Sequence, residues 1–499
     1  MIITMRIKLN LFSLFVIVSV ILSSCGGADP AQTGDVSTTT GWSYNDKEMG
    51  GFEVKNVPEQ STGPGLVLIE GGTFTMGRVQ DDVMYEWNAV PRRVTVSSFY
   101  MDETEVRNVD YREYLNWLKR IFGDNNPQVV QKALPDTLAW RTPMAANEDY
   151  VEYYFRHPAY NQYPVVGINW LQANDYCVWR TDRVNEKLIA DEGIIELTPD
   201  QKDENNFNTE AYLAGIYQPV IRNPIPSLDP NQETRNMRME DGILLPKYRL
   251  PSEAEWEFAA FALVGNTSEE LTWEKRIYPW NGHNVRNDQV SDLGEMRANF
   301  VRGNGDMMGV AGSLNDAGSI TAPVKAFWPN DYGLYCMAGN VNEWVADVYR
   351  PLSSEDVNGF NPFRGNQYQK LFRNADGLPE PDSLGRLKKE FITTTDAEKR
   401  FNYRKSDYRN FKDGDQESSI NFLEKDTTGG KTSPRVYVNN ESVRSSLIND
   451  NVRVYKGGSW KDRAYFLSPA TRRFLLETES RDDIGFRCAM SRLGSPTGL

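Results

Sequence analysis

The chain has 499 residues, of which 39 % are hydrophobic and 25 % charged, with 12 Trp, 24 Tyr and 22 Phe. It can therefore bury a sizeable core, in two to four domains or in one domain with long insertions, and it is neither disordered nor fibrous. The formal charge of −14, from 55 basic and 69 acidic residues, excludes DNA and RNA as partners because it repels phosphates. Two histidines, His157 and His283, and four cysteines leave little material for a His/Cys zinc cage.

The N-terminal residues predict an export leader that is cleaved beside a lipidated cysteine. Arg6 and Lys8 precede an apolar run at residues 11–22 that is too short to span a bilayer. The following letters LSSCGG resemble a bacterial lipobox, in which the thiol of Cys25 is acylated and the chain is cut just before it. The alternative is a short uncleaved anchor. Without residues 1–24 the charge becomes 53 − 69 = −16, so the acidity belongs to the body.

The next segments predict a tether and then β-structure. Residues 25–63 are rich in Gly, Ser, Thr and Pro, which is typical of a solvated tether. The body then extends over residues 64–499. The segment GLVLIEGGTFTMGR, residues 65–78, predicts a β-hairpin that turns at Gly71-Gly72. Residues 94–106 predict a further strand.

Three segments predict helices. Apolar residues recur at helical spacing over residues 108–122, and a second helix is expected over residues 170–189. A third is expected over residues 251–263, where Ser252 and Glu255 have the spacing of a capping box. The polar stretches 190–246 and 351–448 predict two long insertions, which are uncommon in a compact domain unless they bind something or are partly disordered.

Two polar motifs each have two interpretations. Glu253 and Glu257 lie four residues apart on one predicted helix face, which suits acid/base chemistry but also a solvated face or a buried salt link. Gly457-Gly458 could cradle a phosphate, or form a tight turn beside a packed Trp460.

Six ordered segments carry a family resemblance. They are GLVLIEGGTFTMGR, YPVVGINWLQANDYCVWR, YRLPSEAEWEFAA, YPWNG, VKAFWPNDYGLYCMAGNVNEWVADVYR, and VRVYKGGSWKDR with IGFRCAMSR. Over residues 65–493, outside the two insertions, they resemble the formylglycine-generating enzyme (sulfatase-modifying factor) family. The resemblance implies one α+β domain related to the C-type lectin fold, with little regular secondary structure.

The same resemblance predicts that the enzyme chemistry has been lost. The resembled enzymes bind copper(I) through two cysteines, three and eight residues after the serine of the GGS motif. Counted from Ser459, these positions are Asp462 and Leu467 in this chain. A soft ion needs thiolate ligands, so we expect no copper and a pseudoenzyme. With Cys25 acylated, the other three cysteines allow at most one disulfide, whose pairing stays open.

Calcium is a separate expectation from the resemblance. The family's first structural calcium site matches Asn299, Phe300, Asp316 and Gly318, all of which offer hard oxygen donors.

The second calcium site matches Gly339, Val341 and Glu343, together with Cys336 where the family has Asn or Asp. A thiol is a poor ligand for a hard cation, so this second site is the weaker expectation. Asn340 and Glu343 could instead only order the turn.

Within the family, the lipobox and segments such as GWSYNDKEMGGF and LINDNVRVYKGGSWKDRAYFL resemble the gliding-motility lipoproteins of Bacteroidetes, of the GldJ and GldK type. This implies an outer-membrane lipoprotein, anchored on the periplasmic face, in the apparatus for gliding motility and type IX secretion, with GldK and GldN as partners. One alternative is a lectin-like glycan or peptidoglycan binder. Another is a residual metal-dependent oxidase, although two histidines are few for an iron centre.

Overall fold

The computed structural model describes residues 33–56, 59–86, 88–143, 147–264, 275–301, 320–349, 369–391 and 451–494. They fall into two compact units. The smaller comprises the described residues of Met1–Gln60, Asn223–Ile243 and Gly494–Leu499, and the larger comprises Ser61–Arg222 and Leu244–Leu493. The described residues of the predicted tether up to Gln60 thus share a unit with residues 223–243 of the first predicted insertion.

The described residues contain fourteen strands, six α-helices and six short 3-10 helices. The strands are β1 (Leu66–Ile69), β2 (Gly72–Met76), β3 (Arg92–Val96), β4 (Phe99–Asp102), β5 (Ile225–Pro226), β6 (Thr234–Arg235), β7 (Tyr248–Arg249), β8 (Asn342–Val348), β9 (Gln369–Leu371), β10 (Lys389–Phe391), β11 (Val452–Lys456), β12 (Arg473–Leu476), β13 (Ile484–Gly485) and β14 (Ala489–Ser491). The α-helices are α1 (Asn108–Phe122), α2 (Pro127–Ala133), α3 (Glu148–Tyr153), α4 (Trp170–Asp191), α5 (Thr209–Leu213) and α6 (Glu253–Phe261). The 3-10 helices are Lys47–Met49, Thr137–Trp140, Pro158–Tyr160, Met239–Asp241, Val290–Asp292 and Ala464–Leu467.

Two four-stranded sheets organise the larger unit. The first has the order β1-β4-β14-β7 and is antiparallel throughout. The second has the order β12-β11-β8-β13, with β13 parallel to β8 and the other pairs antiparallel. Strands from residues 452–491 therefore occupy positions in both sheets. This α+β arrangement, with short strands and few long helices, confirms the predicted fold class.

The hairpin predicted at Gly71-Gly72 is wrong. β1 pairs with β4, and β2 pairs with β3, so β1 and β2 do not pair with each other. The chain bends at Gly71, where a Cβ atom would lie 2.4 Å from the Val96 carbonyl oxygen and 2.5 Å from the Ser98 nitrogen. The predicted strand 94–106 is likewise divided between β3 and β4 at this bend. The glycines thus serve a close approach of two backbones rather than a turn.

The three predicted helices are confirmed. α1 covers the predicted residues, α4 ends two residues later than predicted, and α6 begins after Ser252, whose side chain accepts from the Glu255 nitrogen in a capping box. α1 and α4 bury aromatic faces against one another, with Tyr111 and Tyr176 stacked at 5.7 Å between ring centroids. This contact forms one of the main hydrophobic clusters.

α6 belongs to the other main cluster. Trp256 and Phe261 of α6 are almost fully buried among residues of β2, β3, β8 and β11. Every residue of α6 except Glu255 is buried, and the buried residues include Glu253 and Glu257, so the helix lies in the interior. Because it lies next to β8 and β11, α6 helps to position the segment after β11 that contains Ser459 and Asp462.

The first predicted insertion, 190–246, is described throughout, and the second, 351–448, only in part. Residues 190–222 belong to the larger unit, where Ile195 forms an isolated bridge with Ile221 and Phe207 is fully buried. Within 351–448, the described residues 369–391 contain the antiparallel pair of β9 and β10; the rest lies outside the described residues. In the part of the chain that is described, no helix combines the length and the hydrophobicity needed to cross a bilayer.

Candidate functional site

The candidate site follows β11 and is built on a glycine turn. Gly457 and Gly458 have φ values of 102° and 74°, which L side chains rarely adopt. A Cβ atom at Gly458 would lie 2.8 Å from the Phe466 carbonyl oxygen. The turn buries Ser459 completely, and Trp460 stacks on Trp140 with 5.8 Å between ring centroids. Of the two interpretations of this motif, the tight turn with a packed Trp describes the observed geometry.

Asp462, which the resemblance predicts at the first of the two copper-binding cysteine positions, has a fully engaged carboxylate. Both oxygens accept from the Arg473 guanidinium at 2.7 Å, and Oδ2 also accepts from the Ser459 hydroxyl at 2.7 Å and from Asn342 Nδ2 at 3.2 Å. Burial would raise the pKa of Asp462, but the Arg473 guanidinium outweighs it and holds this pKa below its usual range. Such a bidentate, charge-assisted pair is a strong form of ion pair.

Asp483 completes the cluster. Its Oδ2 accepts from the Ser459 hydroxyl and from Asn342 Nδ2, each at 3.2 Å. Burial raises the pKa of Asp483, and the neighbouring carboxylates of Asp462 and Asp482 raise it further. The cluster therefore combines an ionised Asp462 with a carboxyl group that ionises less readily. Its charged and polar groups satisfy one another.

Leu467 is the residue that the resemblance predicts at the second of these cysteine positions. Its side chain is completely buried and packs in a cluster with Tyr278, Met296, Phe300 and Ala338. A hydrocarbon offers no lone pair to a metal, and the Asp462 carboxylate is a hard donor that Arg473 already pairs. The two side chains present here do not fit copper(I).

The first predicted calcium site is only partly described. Asn299 is completely buried, its Nδ2 donates to the Ile320 carbonyl at 2.7 Å, and its own carbonyl accepts from the Asn340 nitrogen at 2.9 Å. Phe300 is buried in the cluster around Leu467. Asp316 and Gly318 lie outside the described residues, so this site stays a prediction.

The second predicted calcium site stays a prediction, and its acidic side chain already has a cationic partner. Glu343 accepts from Arg487 at 2.6 Å (Oε1) and 2.7 Å (Oε2), and its Oε2 also accepts from Trp256 Nε1 at 2.7 Å. A guanidinium thus takes the place that a cation would need beside this carboxylate. The Cys336 thiol is directed at the Val324 carbonyl at 3.5 Å, and the Gly339 nitrogen donates to Gly457.

The fourth residue of this set, Val341, is also buried. Among the described residues, no group of three or more His, Cys, Asp or Glu side chains is placed to hold a metal ion.

Sequence reasoning missed Glu105. This residue is 1 % exposed, its Oε1 accepts from Asn340 Nδ2 at 3.0 Å, and it lies in the same part of the interior as Cys336 and Glu343. Burial raises the pKa of Glu105 well above its usual range, and the charge of Glu343 adds to the effect. Nothing in the sequence distinguishes it from the other two acidic residues of the run DETEV, Asp102 and Glu103.

Glu253 and Glu257 form a buried salt network rather than a solvated face. Lys456 Nζ lies 3.1 Å from Glu253 and 2.9 Å from Glu257, while Arg472 pairs with Glu253 at 2.7 Å and Lys275 with Glu257 at 2.8 Å. Burial would raise the pKa of Glu253, but Arg472 and Lys456 lower it to about 2. All five side chains are at most 3 % exposed, which favours the buried salt link among the interpretations.

The remaining predicted residues are placed as follows. Cys25 lies outside the described residues. Cys177 and Cys488 are buried with 3.4 Å between their Sγ atoms, while Cys336 lies apart from them. His157 accepts from the Ala159 nitrogen through Nδ1 at 3.2 Å and caps a short 3-10 turn.

Comparisons with known proteins agree with this fold. Residues 52–492 match the family model described as the sulfatase-modifying factor enzyme 1-like domain. The formylglycine-generating enzyme of Mus musculus is 25 % identical over 368 residues, 68 % of this chain and 73 % of that protein. The inactive C-alpha-formylglycine-generating enzyme 2 of Mus musculus is 24 % identical over 319 residues, 58 % of this chain and 71 % of that protein.

Among solved structures, PvdO from Pseudomonas aeruginosa has a TM-score of 0.40 at 16 % identity, covering 85 % of this chain and 94 % of that one. CarF has a TM-score of 0.34 at 17 % identity, covering 87 % of this chain and 98 % of that one. The match of the family model to most of the chain shows that this protein belongs to the formylglycine-generating enzyme, or sulfatase-modifying factor, family.

Proposed function

We propose that this chain is a non-catalytic member of its family that acts as a structural or assembly component. One observation carries the proposal: at the two positions of the copper-binding cysteines, Asp462 is paired with Arg473 and Leu467 is packed in an apolar cluster. The named similarity to an inactive family member is compatible with such a role.

A copper assay tests the loss of catalysis. The full-length chain, purified in detergent, is titrated with copper(I). It is also incubated with a cysteine-containing peptide, whose mass is then measured by mass spectrometry. We expect neither stoichiometric copper binding nor conversion of the cysteine. The matched control is the double variant Asp462→Cys with Leu467→Cys, which restores two thiols and should gain copper(I) affinity. Copper binding and cysteine oxidation by the unmodified chain would refute the proposal.

We further propose that the protein is a lipoprotein of the gliding motility and type IX secretion apparatus of Bacteroidetes. In this proposal Cys25 carries the lipid, the body lies on the periplasmic face of the outer membrane, and GldK and GldN are its partners. The lipobox and the ordered resemblance to the GldJ and GldK group support it. The acidic body and the long polar insertions suit a role in protein contacts.

The cellular proposal is tested in the native host. A deletion strain is complemented with the unmodified gene or with the Cys25→Ser variant, and colony spreading, secretion and the abundance of GldK and GldN are scored. We expect the Cys25→Ser protein to be absent from the outer-membrane fraction. The strain that carries it should lose colony spreading and secretion and should contain less GldK and GldN. A Cys336→Ser variant, which alters a thiol that takes no part in lipid attachment, is the matched control. Unimpaired spreading, secretion and lipoprotein levels in the deletion strain would contradict the proposal.

A further inference from the structure

An exposed apolar surface lies in the smaller unit, within the predicted tether. Trp42, Met49 and Phe52 are 59 %, 43 % and 66 % exposed, respectively. The Met49 sulfur accepts from the Ser43 nitrogen at 3.3 Å, and the Phe52 ring contacts the Tyr44 ring at 5.7 Å between centroids. The three apolar side chains therefore gather around residues 42–44, and we call them the Trp42 surface.

An ordered turn holds the Trp42 surface. The Asn45 nitrogen donates to the Phe52 carbonyl at 2.9 Å. A Cβ atom at Gly51 would lie 2.1 Å from the Leu228 carbonyl oxygen, so the turn packs closely against another segment of the same unit, Asn223–Ile243. The apolar side chains are thus kept in water by a backbone with fixed contacts. Exposed apolar side chains that cluster in this way are typical of an interaction site.

The Trp42 surface is close in the chain to the proposed lipid anchor. Cys25 precedes Thr33, the first described residue, by eight residues, and eight residues span at most about 29 Å. The Ser37 nitrogen donates to the Trp42 carbonyl at 2.8 Å, which folds the residues between them back on themselves. Trp42 therefore lies within about 45 Å of Cys25. A membrane that holds Cys25 is within reach of the Trp42 surface.

The charge of the segment indicates which kind of membrane surface fits. Residues 33–56 contain two basic and four acidic side chains, a net charge of 2 − 4 = −2, so anionic lipids would repel the segment. Tryptophan is enriched where a membrane meets water, because its ring is apolar and its N–H is polar.

We propose that the Trp42 surface inserts into the headgroup region of a zwitterionic membrane beside the lipid anchor. The inference rests on the proposed lipidation of Cys25 and adds a second contact to it. Two contacts with the bilayer hold the smaller unit in one orientation, whereas a single point of attachment leaves it free to rotate.

The test uses the mature lipoprotein, purified from the membranes of the native host and reconstituted into vesicles of phosphatidylcholine and phosphatidylethanolamine. Brief exposure to hydroxyl radicals oxidises accessible side chains, and mass spectrometry of the peptides locates them. The three side chains of the Trp42 surface should be oxidised about fivefold more slowly than residues of the same type elsewhere, because they lie among the headgroups. The reference residues have comparable exposure and are Trp328, Met239 and Phe391, at 44 %, 49 % and 57 %. Replacing half of the phosphatidylethanolamine by anionic phosphatidylglycerol should speed the oxidation of Met49.

The double variant Trp42→Glu with Phe52→Glu removes the membrane contact. Both side chains are mostly exposed, so the substitutions spare the core. Met49 is unchanged in this variant and should be oxidised as fast as Met239. The matched control is the double variant Val290→Glu with Leu293→Glu, which adds the same charge at two highly exposed apolar residues of the larger unit. This control should leave Met49 protected.

Four results would each overturn the proposal: equal oxidation rates within the matched pairs, protection of Met49 that persists in the first double variant, protection that is equally lost in the control, and protection that is as strong on anionic vesicles. Protection that rises with the number of chains per vesicle would also overturn it, because a second copy of the chain would then cover the surface.

The mass of the N-terminal peptide and flotation with the vesicles report lipidation separately. A chain that carries no acyl group and does not float would contradict both the proposed lipid anchor and this inference. An acylated, floating chain in which Trp42 is not protected would contradict this inference alone.

Discussion

The buried salt network around Lys456 leads to the sharpest prediction. Lys456 is completely buried and is the cation shared by Glu253 and Glu257, at 3.1 and 2.9 Å. Lys456→Met keeps a side chain of similar length but leaves both carboxylates with less compensation. Removing one partner of a buried ion pair destabilises by about 3–5 kcal/mol. We expect about 3 kcal/mol, because Arg472 and Lys275 remain beside the two carboxylates.

The measurement is urea unfolding of the full-length chain, followed by tryptophan fluorescence. The matched control is Lys325→Met, which breaks an exposed pair with Glu103 whose side chains are 53 % and 38 % exposed. Such surface pairs contribute at most about 1 kcal/mol. If the two variants lost the same free energy of unfolding, the reasoning about the network would be refuted.

The same network predicts the pH dependence. The pKa of Glu253 is lowered to about 2 in the folded state from about 4.3 in an unfolded chain. As the pH falls, Glu253 therefore takes up its proton at a higher pH in the unfolded state than in the folded state. The stabilisation by Glu253 is fully present above pH about 5 and is lost as the pH falls towards 2. Urea midpoints measured between pH 7 and 3 should fall with pH, and the fall should be smaller in a Glu253→Gln variant. Parallel curves would contradict this assignment.

The remaining predictions concern the cysteines, Leu467 and Gly71. Mild oxidation should join Cys177 to Cys488, which lie 311 residues apart with 3.4 Å between Sγ atoms, and should raise stability by roughly 5 kcal/mol; peptide mapping that found Cys336 in the disulfide would contradict this. Leu467→Ala should cost about 2–5 kcal/mol and Leu467→Met less than about 1.5, because only the first leaves a cavity; equal losses in urea unfolding would count against the packed position. Gly71→Ala should destabilise the fold by more than about 1 kcal/mol, because its Cβ atom would meet the Val96 carbonyl. That value is the upper limit of the stabilisation gained when glycine is replaced and the unfolded chain becomes less flexible. A stabilised variant would show that the bend relaxes.

The sequence predicted local structure better than pairing. The helices α1, α4 and α6 follow from periodic apolar residues and from the Ser252 capping box, because these signals act within a few residues. The pairing of β1 with β4 depends on a contact between residues that are distant in the chain, so Gly71-Gly72 alone could not distinguish a turn from a bend.

The candidate site shows the same division. Counting from the GGS motif located Asp462 and Leu467. The partners of Asp462 could not be located in this way. Arg473 lies in β12 and Asn342 in β8, and the pairing of both strands with β11 brings these side chains beside Asp462. The buried Glu105 was missed because a carboxyl group that tertiary packing removes from water has no signature in its own segment.

The position of β14 has a consequence for how the protein is made. β14 lies between β4 and β7, and β13 lies beside β8, so residues 484–491 complete both sheets. The other strands come earlier in the chain, from residue 66 in the first sheet and from residue 342 in the second. During synthesis the earlier strands must wait, with unpaired backbone edges, for these late residues to arrive. Truncations in this region would prevent assembly of the whole unit rather than remove a detachable part.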